Sequence, residues 1–450
     1  MATYRVITYG CQMNERDSET IAGILAGRGY REAGEAEEPD VVVLNTCCVR
    51  EGAERKILGK TQELKALKSR RPDTIIAVVG CLSQQPGAAA SIMKKMRHVD
   101  IVLGTHNIER IGEAVENVAA LRRPIIEILD QEKAPAEGLP AVRSPGVRAW
   151  VTVMYGCDNF CSYCIVPYVR GRERSRLPGE IRAEVQRLVG GGFKEVVLLG
   201  QNVNAYGKTL ETVQDFADLL RQVDSVHGLL RVRFMTSHPR DFTQKMVSAV
   251  RDLPTVCEHI HLPVQSGSNS VLIRMNRGYT REQYMDLASR IRQAMPDCSL
   301  TTDIIVGFPG EDEREFAETM DLVRQVGFDA AFTFLYSPRN GTRAASMPGE
   351  VPEETKKARI SQVIAVQNEI TQRKNRDLAG QVFEVLVEGP SERDPSVMAG
   401  RTRQNKMVHF RTISAPGSLV TVRVTAAGTW TLRGEVLGEG SPPGPEEKVF

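Results

Sequence analysis

The sequence has no long hydrophobic run and little excess charge. No stretch of 18 consecutive apolar residues occurs among its 450 residues, so we expect no membrane-spanning helix. The first residues lead directly into a strand-like segment, so we expect no secretory signal and a cytoplasmic location. Because the net charge is only +2, any nucleic-acid-binding surface must be local. Internal repeats are also absent, and the composition is that of a globular protein with a few domains.

The sequence contains nine cysteines, which is an odd number. A chain of this length does not need disulfide bridges, so we expect reduced thiols that serve metal binding or catalysis. Cys157, Cys161 and Cys164 form a C-x3-C-x2-C motif. Three thiolates in one loop can bind three irons of a cubane iron-sulfur cluster and leave the fourth iron open to a small molecule. Zinc is the alternative, but zinc sites usually pair two C-x2-C units, and no second unit follows this one.

Apolar runs alternate with helical patterns through most of the chain, which predicts an α/β protein with parallel sheets. Buried strands are expected at 4–8, 41–45, 75–79 and 101–103. After a proline-containing segment at 130–148 we expect six further strands, at 150–155, 195–199, 231–236, 259–264, 300–306 and 330–336. Six βα units predict a partial (β/α)6 version of the TIM-like barrel. Short runs after Gly380 predict a small C-terminal β-barrel.

Three other cysteines lie at the ends of predicted strands. Cys11, Cys47 and Cys81 each follow a strand of the N-terminal sheet. Because the carboxyl ends of parallel strands share one edge, we expect these thiols to converge. They predict either a second three-thiolate cluster with an open iron or three buried apolar thiols. We expect Cys48, Cys257 and Cys298 to be packed structural thiols, although Cys48 is adjacent to Cys47.

The C-x3-C-x2-C motif after the first barrel strand resembles that of the radical S-adenosylmethionine enzymes. The second cysteine set narrows the resemblance to their methylthiotransferases, and it extends over nearly the whole chain. The branch that modifies dimethylallyladenosine in tRNA has similar motifs at 10–14, 45–47, 165–168, 170–176, 200–204, 261–268 and 303–311. One departure is Cys48, where this family is expected to have a small residue such as serine.

The resemblance implies three domains and a linker. A methylthiotransferase domain is expected at 1–120, a linker at 121–146, a radical S-adenosylmethionine core at 147–376 and a TRAM domain at 377–440. Cys157, Cys161 and Cys164 would be the catalytic residues, as ligands of the [4Fe-4S] cluster that binds and cleaves S-adenosylmethionine. Cys11, Cys47 and Cys81 would hold an auxiliary [4Fe-4S] cluster.

The implied activity is that of a tRNA-modifying sulfur transferase. It would methylthiolate C2 of N6-dimethylallyladenosine at position 37 of tRNA, with sulfur presented on the auxiliary cluster. One S-adenosylmethionine would donate the methyl group, and a second would give the 5′-deoxyadenosyl radical. The implied partners are the tRNA anticodon stem-loop, an electron donor such as flavodoxin or ferredoxin, and a sulfur donor, with the enzyme a monomer.

Polar residues at the strand ends are candidates for binding S-adenosylmethionine. We expect them to project into the barrel mouth. The alternative for each residue is a structural role, in which its side chain hydrogen-bonds to other groups of the protein and not to a ligand. The candidates are Gln201, Asn202, His238, His261, Gln265, Ser266 and Asp303.

Two basic segments are candidates for binding RNA. Arg170, Arg172, Arg174 and Arg176 alternate, which in an extended segment would put them on one side, facing substrate phosphates. The alternative is a solvated face with local ion pairs. In the predicted small barrel, Arg401, Arg403, Lys406 and Arg411 form a second basic stretch without an acidic residue.

Two other functions are compatible with these motifs. Other branches of the methylthiotransferases act on threonylcarbamoyladenosine of tRNA or on an aspartate of a ribosomal protein. A zinc-dependent RNA-binding protein without catalytic activity is the alternative from a different class.

Overall fold

The computed structural model describes residues 1–48, 51–129 and 136–439. Residues 130–135 of the predicted linker and residue 440 of the predicted TRAM domain lie outside these ranges. Within them, no helix is both long and apolar enough to cross a membrane.

A six-stranded, fully parallel sheet forms the N-terminal part. Its strands are β1 (Thr3–Tyr9), β2 (Arg31–Glu32), β3 (Val41–Thr46), β4 (Ile75–Gly80), β5 (Ile101–Leu103) and β6 (Ile125–Glu127). They are ordered β2-β1-β3-β4-β5-β6. The helices are α1 (Gln12–Gly27), α2 (Glu51–Arg70), α3 (Cys81–Gln84), α4 (Ala88–Lys95) and α5 (Ile111–Leu121). Side chains of α1 and α5 pack on one face and side chains of α2 and α4 on the other. Burial on both faces explains why β3 and β4 are continuous apolar runs.

Strands β2 and β6 were not expected from the sequence. Both are short edge strands whose side chains are largely exposed or half-buried, so neither has an apolar run that marks it. Strand β6 lies inside the segment 121–146 that was expected to be a linker, and it pairs with β5.

The central part contains the six expected parallel strands, so the predicted partial barrel is confirmed. They are β7 (Arg148–Thr152), β10 (Glu195–Leu199), β11 (Arg231–Phe234), β12 (His259–His261), β13 (Ser299–Val306) and β14 (Ala330–Leu335). Strands β7, β10 and β11 form one three-stranded sheet, and β12, β13 and β14 form another. The first predicted strand is interrupted, because β8 (Met154–Tyr155) turns away to pair with β9 (Arg174–Ser175).

Helices cover the outer surface of these sheets. The short α6 (Val166–Arg170) packs instead against the N-terminal part. The covering helices are α7 (Pro178–Gly190), α8 (Phe216–Asp224), α9 (Gln244–Asp252), α10 (Asn269–Arg274), α11 (Arg281–Ala294), α12 (Glu313–Val326) and α13 (Glu353–Arg376). Alternate strand residues such as Val196, Leu198 and Ile304 join one large core with the helices. The intervening residues face the inside of the barrel. There Val197 and Leu199 pack with Met13 of α1, so the N-terminal part lies against the barrel interior.

The C-terminal part is a closed five-stranded barrel, as expected. Its strands are β15 (Val382–Pro390), β16 (Met398–Thr402), β17 (Met407–Phe410), β18 (Leu419–Ala427) and β19 (Thr431–Glu439), in the order β15-β16-β17-β19-β18. Strand β16 was not expected, because its sequence MAGRT has no alternation of apolar residues.

The small barrel is fixed to the amino-terminal ends of the central strands. Buried Arg233 of β11 donates hydrogen bonds of 2.7 Å to the carbonyl oxygens of Thr402 and Arg403. Its guanidinium also pairs with Glu195 of β10 at 3.0 Å. The small barrel therefore closes the end of the central barrel that is opposite to the expected active site.

Candidate active site

The C-x3-C-x2-C loop is held by backbone contacts at the end of the first barrel strand. The amide of Cys157 donates to the carbonyl of Gly171 at 3.0 Å, and the amide of Cys164 donates to the carbonyl of Cys161 at 2.9 Å. Cys157 and Cys161 are buried, and Cys164 is half-buried. Gly156 precedes the loop with φ +75°, and a Cβ there would collide with the carbonyl oxygen of Arg172.

A buried arginine that sequence reasoning missed contacts this loop. The guanidinium of Arg277 donates to the Sγ of Cys161 at 3.3 Å, to the carbonyl of Pro263 at 2.9 Å and to the hydroxyl of Tyr279 at 3.0 Å. Arg277 is 4% exposed. Arg277 lies in the loop between α10 and α11 and belongs to none of the motifs, so no signal in the sequence identified it.

The three scattered cysteines converge at the carboxyl edge of the N-terminal sheet, as expected from strand order. Cys11 lies beside Cys47, and a Cβ added to Gly10 would stand 2.8 Å from the Cβ of Cys47. Cys81 follows Gly80, whose φ of +99° and approach to the carbonyl of Thr46 exclude a side chain. Cys48 also lies in this group, in contact with Cys81.

Two asparagines hold the loops that carry these cysteines. The side-chain amide of Asn14 donates to the Oδ1 of Asn45 at 3.0 Å and to the carbonyl of Thr46 at 3.1 Å. In return, the amide of Asn45 donates to the carbonyl of Asn14 at 2.8 Å. Cys11 donates through its Sγ to the Oδ1 of Asn14 at 3.4 Å. The buried pair therefore connects the ends of β1 and β3, each of which leads to a cysteine.

Helix α6 joins the two cysteine sets. It begins two residues after Cys164, and Ile165 packs in the same apolar cluster as Cys81. At the other end of α6, buried Arg170 donates through its Nε to the Sγ of Cys81 at 3.3 Å and pairs with Asp17 at 2.7 Å. The two sets are therefore adjacent sites in a single fixed arrangement.

The thiols of the two sets differ in acidity. Burial raises the pKa of Cys157 to about 11 and that of Cys164 to about 12. In the N-terminal set, a hydrogen bond from Cys47 lowers the pKa of Cys11 to about 5. A hydrogen bond between Cys48 and Cys81 lowers the pKa of Cys81 and raises that of Cys48. Within this group, Cys11 and Cys81 are thus the thiols that ionise most readily.

Several predicted polar residues do present unsatisfied atoms at the barrel mouth. The Oε1 of Gln201, the Oδ1 of Asn202 and both ring nitrogens of His238 are buried without a hydrogen-bond partner among the described residues. Burial, reinforced by the charge of Arg277, lowers the pKa of His238 to about 2, so its ring is neutral. Such groups fit a bound polar ligand, because buried polar atoms are otherwise almost always paired.

Ser266 and Gln265, which were also predicted to bind S-adenosylmethionine, are held by contacts of the turn after β12. The hydroxyl of Ser266 is fully buried and bonded to that of Thr319 on α12 at 3.2 Å, so it faces the helix layer and not the mouth. Gln265 is held with φ +71°, and its backbone bridges β13 through the carbonyl of Asp303 and the amide of Ile305. We expected both side chains in the mouth, and the contact with Thr319 shows that the hydroxyl of Ser266 lies in the helix layer instead.

One inner wall of the barrel combines polar and aromatic side chains. The Nδ1 of His261 lies 3.0 Å from the hydroxyl of Thr301, and its Nε2 lies 3.4 Å from the Oδ1 of Asp303. Asp303 pairs in register with Phe332, whose ring contacts that of His261 edge-on at 5.9 Å. Phe332 and Phe334 are 55% and 45% exposed, which is unusual for barrel strands and leaves an accessible apolar wall.

The four alternating arginines do not share one surface as expected. Arg170 is buried as described, and Arg176 is buried against Glu137 and Glu184. Arg172 is exposed, pairs with Asp158 and lies over the ring of Phe160. Arg174 is half-buried over Tyr155. The segment is a helix end followed by a short strand, so the assumed extended alternation does not exist.

The second basic segment is also largely committed to internal contacts. Arg403 pairs with Glu258 at 2.8 Å, Arg401 pairs with Glu388 at 3.2 Å, and Lys406 pairs with Asp329 at 3.2 Å. The pairs of Arg403 and Lys406 attach the small barrel to the central one, whereas the Arg401–Glu388 pair joins β16 to β15 within the small barrel. Arg411 is exposed and remains available on the outer surface of the small barrel.

The donor set fits iron-sulfur clusters better than a single metal ion. Among the described residues, no three His, Cys, Asp or Glu side chains converge closely enough for one ion. A zinc ion requires its sulfur ligands at about 2.3 Å from one centre. In an iron-sulfur cluster each thiol binds a different iron, so the three thiols of each site can lie farther apart than around a single ion.

Comparisons with known proteins agree with this arrangement. Family profiles described as Radical SAM superfamily, Uncharacterized protein family UPF0004 and TRAM domain match residues 151–323, 3–104 and 376–437. The methyltransferase TsrM of Kitasatospora setae shares the fold, with a TM-score of 0.58, 13% identity and 77% of each chain covered.

Much closer relatives are found among curated sequences. The tRNA-2-methylthio-N(6)-dimethylallyladenosine synthase of Moorella thermoacetica is 53% identical, covering 97% of this chain and 98% of its own length. The enzyme of the same name from Clostridium novyi is 50% identical, with 96% of each chain covered. The chain therefore belongs to the family of the tRNA-2-methylthio-N(6)-dimethylallyladenosine synthases, within the radical SAM superfamily.

Proposed function

We propose that this protein methylthiolates C2 of N6-dimethylallyladenosine at position 37 of tRNA, with two [4Fe-4S] clusters and S-adenosylmethionine as cofactors. The observation that carries the proposal is the presence of two three-cysteine sets, brought together from separate strands and joined by α6. Identity of 53% over 97% of the chain to an enzyme named for this product supports the same activity.

Cys157, Cys161 and Cys164 hold one cluster, and Cys11, Cys47 and Cys81 hold the other. When bound, these groups supply one-electron cleavage of S-adenosylmethionine, a methyl group and sulfur. The protein contributes the placement of both sites. Gly156 and Gly80 give the backbone turns before the cysteines, which no residue with a side chain could adopt without strain.

Gln201, Asn202 and His238 bind S-adenosylmethionine through their buried polar atoms that lack hydrogen-bond partners among the described residues. Asn202 is oriented for this by donating its amide to Asp241 at 2.8 Å. The neutral ring of His238 can offer one donor and one acceptor.

The substrate adenine reaches the site from an unpaired anticodon loop. Chemistry at C2 requires the base to leave its stack, so it enters the barrel between α1 and the opposite wall. Phe332 and Phe334 form the apolar part of that wall, and a five-carbon substituent on N6 is an apolar group of suitable size. At the mouth, Arg172 and exposed Tyr168 provide a cation and an aromatic ring for RNA.

An external one-electron donor, such as flavodoxin or ferredoxin, and a sulfur donor complete the proposal, with the enzyme acting as a monomer. These partners are inferred from the reaction and not from a surface of the chain.

Iron content and product analysis test the proposal together. Anaerobically reconstituted protein should bind about eight irons, as two four-iron clusters require, and should form the 2-methylthio nucleoside in tRNA. Cys11→Ala and Cys157→Ala should each reduce the iron content to about half and abolish product. Cys257→Ala is the control, because this buried thiol lies outside both sets and should leave iron and product unchanged.

Nucleoside analysis of a deletion strain separates the substrates. Loss of 2-methylthio-N6-dimethylallyladenosine alone supports the proposal. Loss of the 2-methylthio form of threonylcarbamoyladenosine, or loss of a modified aspartate in peptide mass spectrometry of the ribosomal proteins, would assign the protein to another branch. A colourless, zinc-loaded protein that is indifferent to oxygen would contradict the enzyme function altogether.

A further inference from the structure

Each candidate cluster site contains one buried arginine that donates to a cysteine sulfur. Arg170 donates to the Sγ of Cys81 and Arg277 to the Sγ of Cys161, both at 3.3 Å. The two arginines are 6% and 4% exposed. Buried guanidinium groups are rare unless they are paired, so their position beside sulfur needs a physical reason.

Arg170 is fixed from two directions. Its Nη2 pairs with Asp17 of α1 at 2.7 Å, while its Nε is directed to Cys81. Arg170 is the last residue of α6, the helix that begins just after Cys164. Arg170 therefore sets the position of Cys81 relative to the central barrel.

Arg277 has a different environment. It donates to the carbonyl of Pro263 and to the hydroxyl groups of Tyr279 and Tyr163, the latter at 3.4 Å. In the described part of the chain it forms no ion pair with a carboxylate, although its charge is buried. A buried cation without an acidic partner is unfavourable, so the site requires an anion from elsewhere. Cluster thiolates at Cys161 and its neighbours supply that negative charge.

We propose that Arg170 and Arg277 are positioning residues, one for each cluster, that hold a ligand sulfur in place and favour the reduced state of that cluster. Hydrogen bonds to ligand sulfurs and nearby charge are known determinants of cluster reduction potential. A reduced cluster carries one more negative charge, which a buried guanidinium stabilises. This inference rests on the proposed cluster sites and goes beyond them, because it assigns to each cluster one arginine that influences its reduction potential.

Redox titration followed by electron paramagnetic resonance tests the proposal. To observe one cluster at a time, Arg277→Gln is combined with alanine at Cys11, Cys47 and Cys81. Arg170→Gln is combined with alanine at Cys157, Cys161 and Cys164. Each glutamine variant is also placed in the other triple-alanine background, so that its effect on the second cluster can be measured. Titanium(III) citrate serves as the one-electron donor.

Each glutamine variant should make its own cluster about tenfold harder to reduce, a shift of about −59 mV for a one-electron couple. Arg277→Gln should not shift the auxiliary cluster, and Arg170→Gln should not shift the other one. Arg221→Gln is the matched control, because this exposed arginine on α8 is also paired with an acidic residue, Asp218, and lies outside both cysteine sets. It should shift neither potential.

The lysine variants keep the test decisive if a glutamine variant does not take up its cluster. Lysine retains the charge but lacks the rigid planar donor fork of the guanidinium group, so Arg170→Lys and Arg277→Lys should bind iron with potentials nearer to those of the parent protein. Unchanged potentials in the glutamine variants would overturn the proposal, and so would equal shifts of both clusters in either variant. Loss of both clusters in a lysine variant would indicate a purely structural role and would also overturn it. Parent protein without iron would instead contradict the proposed function.

Discussion

Replacing Gly156 by alanine should remove one cluster and spare the other. The backbone at Gly156 has φ +75°, a left-handed conformation that costs an L-residue about 1–2 kcal/mol. In addition, the new Cβ would collide with the carbonyl oxygen of Arg172, and overpacking of this kind costs about 1–3 kcal/mol. The sum is about 3 kcal/mol, which corresponds to a shift of about 100-fold toward displaced loop conformations. Cys157, the next residue, would then lose its position relative to Cys161 and Cys164.

Iron analysis and visible absorption of the reconstituted protein measure this effect. We expect about four irons in Gly156→Ala, against about eight in the parent, with the remaining cluster bound by the N-terminal set. Gly179→Ala is the matched control, because Gly179 lies in the first turn of α7 with open space around its position and no positive φ. It should retain both clusters. A fully loaded Gly156→Ala protein with an unchanged melting temperature would refute the assumption that this backbone conformation positions the cysteine.

Three further predictions concern thiol acidity, interdomain packing and the substrate pocket. In protein without clusters at pH 7, iodoacetamide should alkylate Cys11 at least about 100-fold faster than Cys164. The pKa of Cys11 is about 5 and that of Cys164 about 12, the thiolate is the nucleophile, and both side chains are half-buried. Peptide mass spectrometry measures the two rates. Glu195→Gln should lower the free energy of unfolding in urea by about 3 kcal/mol, because it leaves buried Arg233 without its carboxylate partner and Arg148 with Glu388 alone of its two acidic partners. A change below about 1 kcal/mol would contradict this. Phe332→Ala should weaken binding of a prenylated anticodon stem-loop about tenfold while leaving the unprenylated stem-loop unaffected, and equal weakening of both would place the prenyl group elsewhere.

The sequence was sufficient wherever local pattern and strand order decide the structure. Buried parallel strands give continuous apolar runs, so β3 and β4 could be located directly. Their shared carboxyl edge then predicted that Cys11, Cys47 and Cys81 would meet, which the structure confirms. Short edge strands such as β2 and β6, with no buried face, have no comparable pattern and were missed.

The charged residues could not be placed from the sequence, because charge density does not reveal burial. Arg170, Arg176 and Arg403 occur in basic runs that are typical of a phosphate-binding surface, yet each is paired with an acidic residue distant in the chain. Those partners become neighbours only after the three parts of the chain have packed together. Conversely, Arg277 is isolated in the sequence and contacts a candidate cluster ligand. In this protein, the two arginines that contact candidate cluster ligands are therefore ones whose charge is enclosed. Arg170 is balanced by Asp17, whereas Arg277 pairs with no carboxylate among the described residues, so its buried charge requires an anionic cluster to balance it.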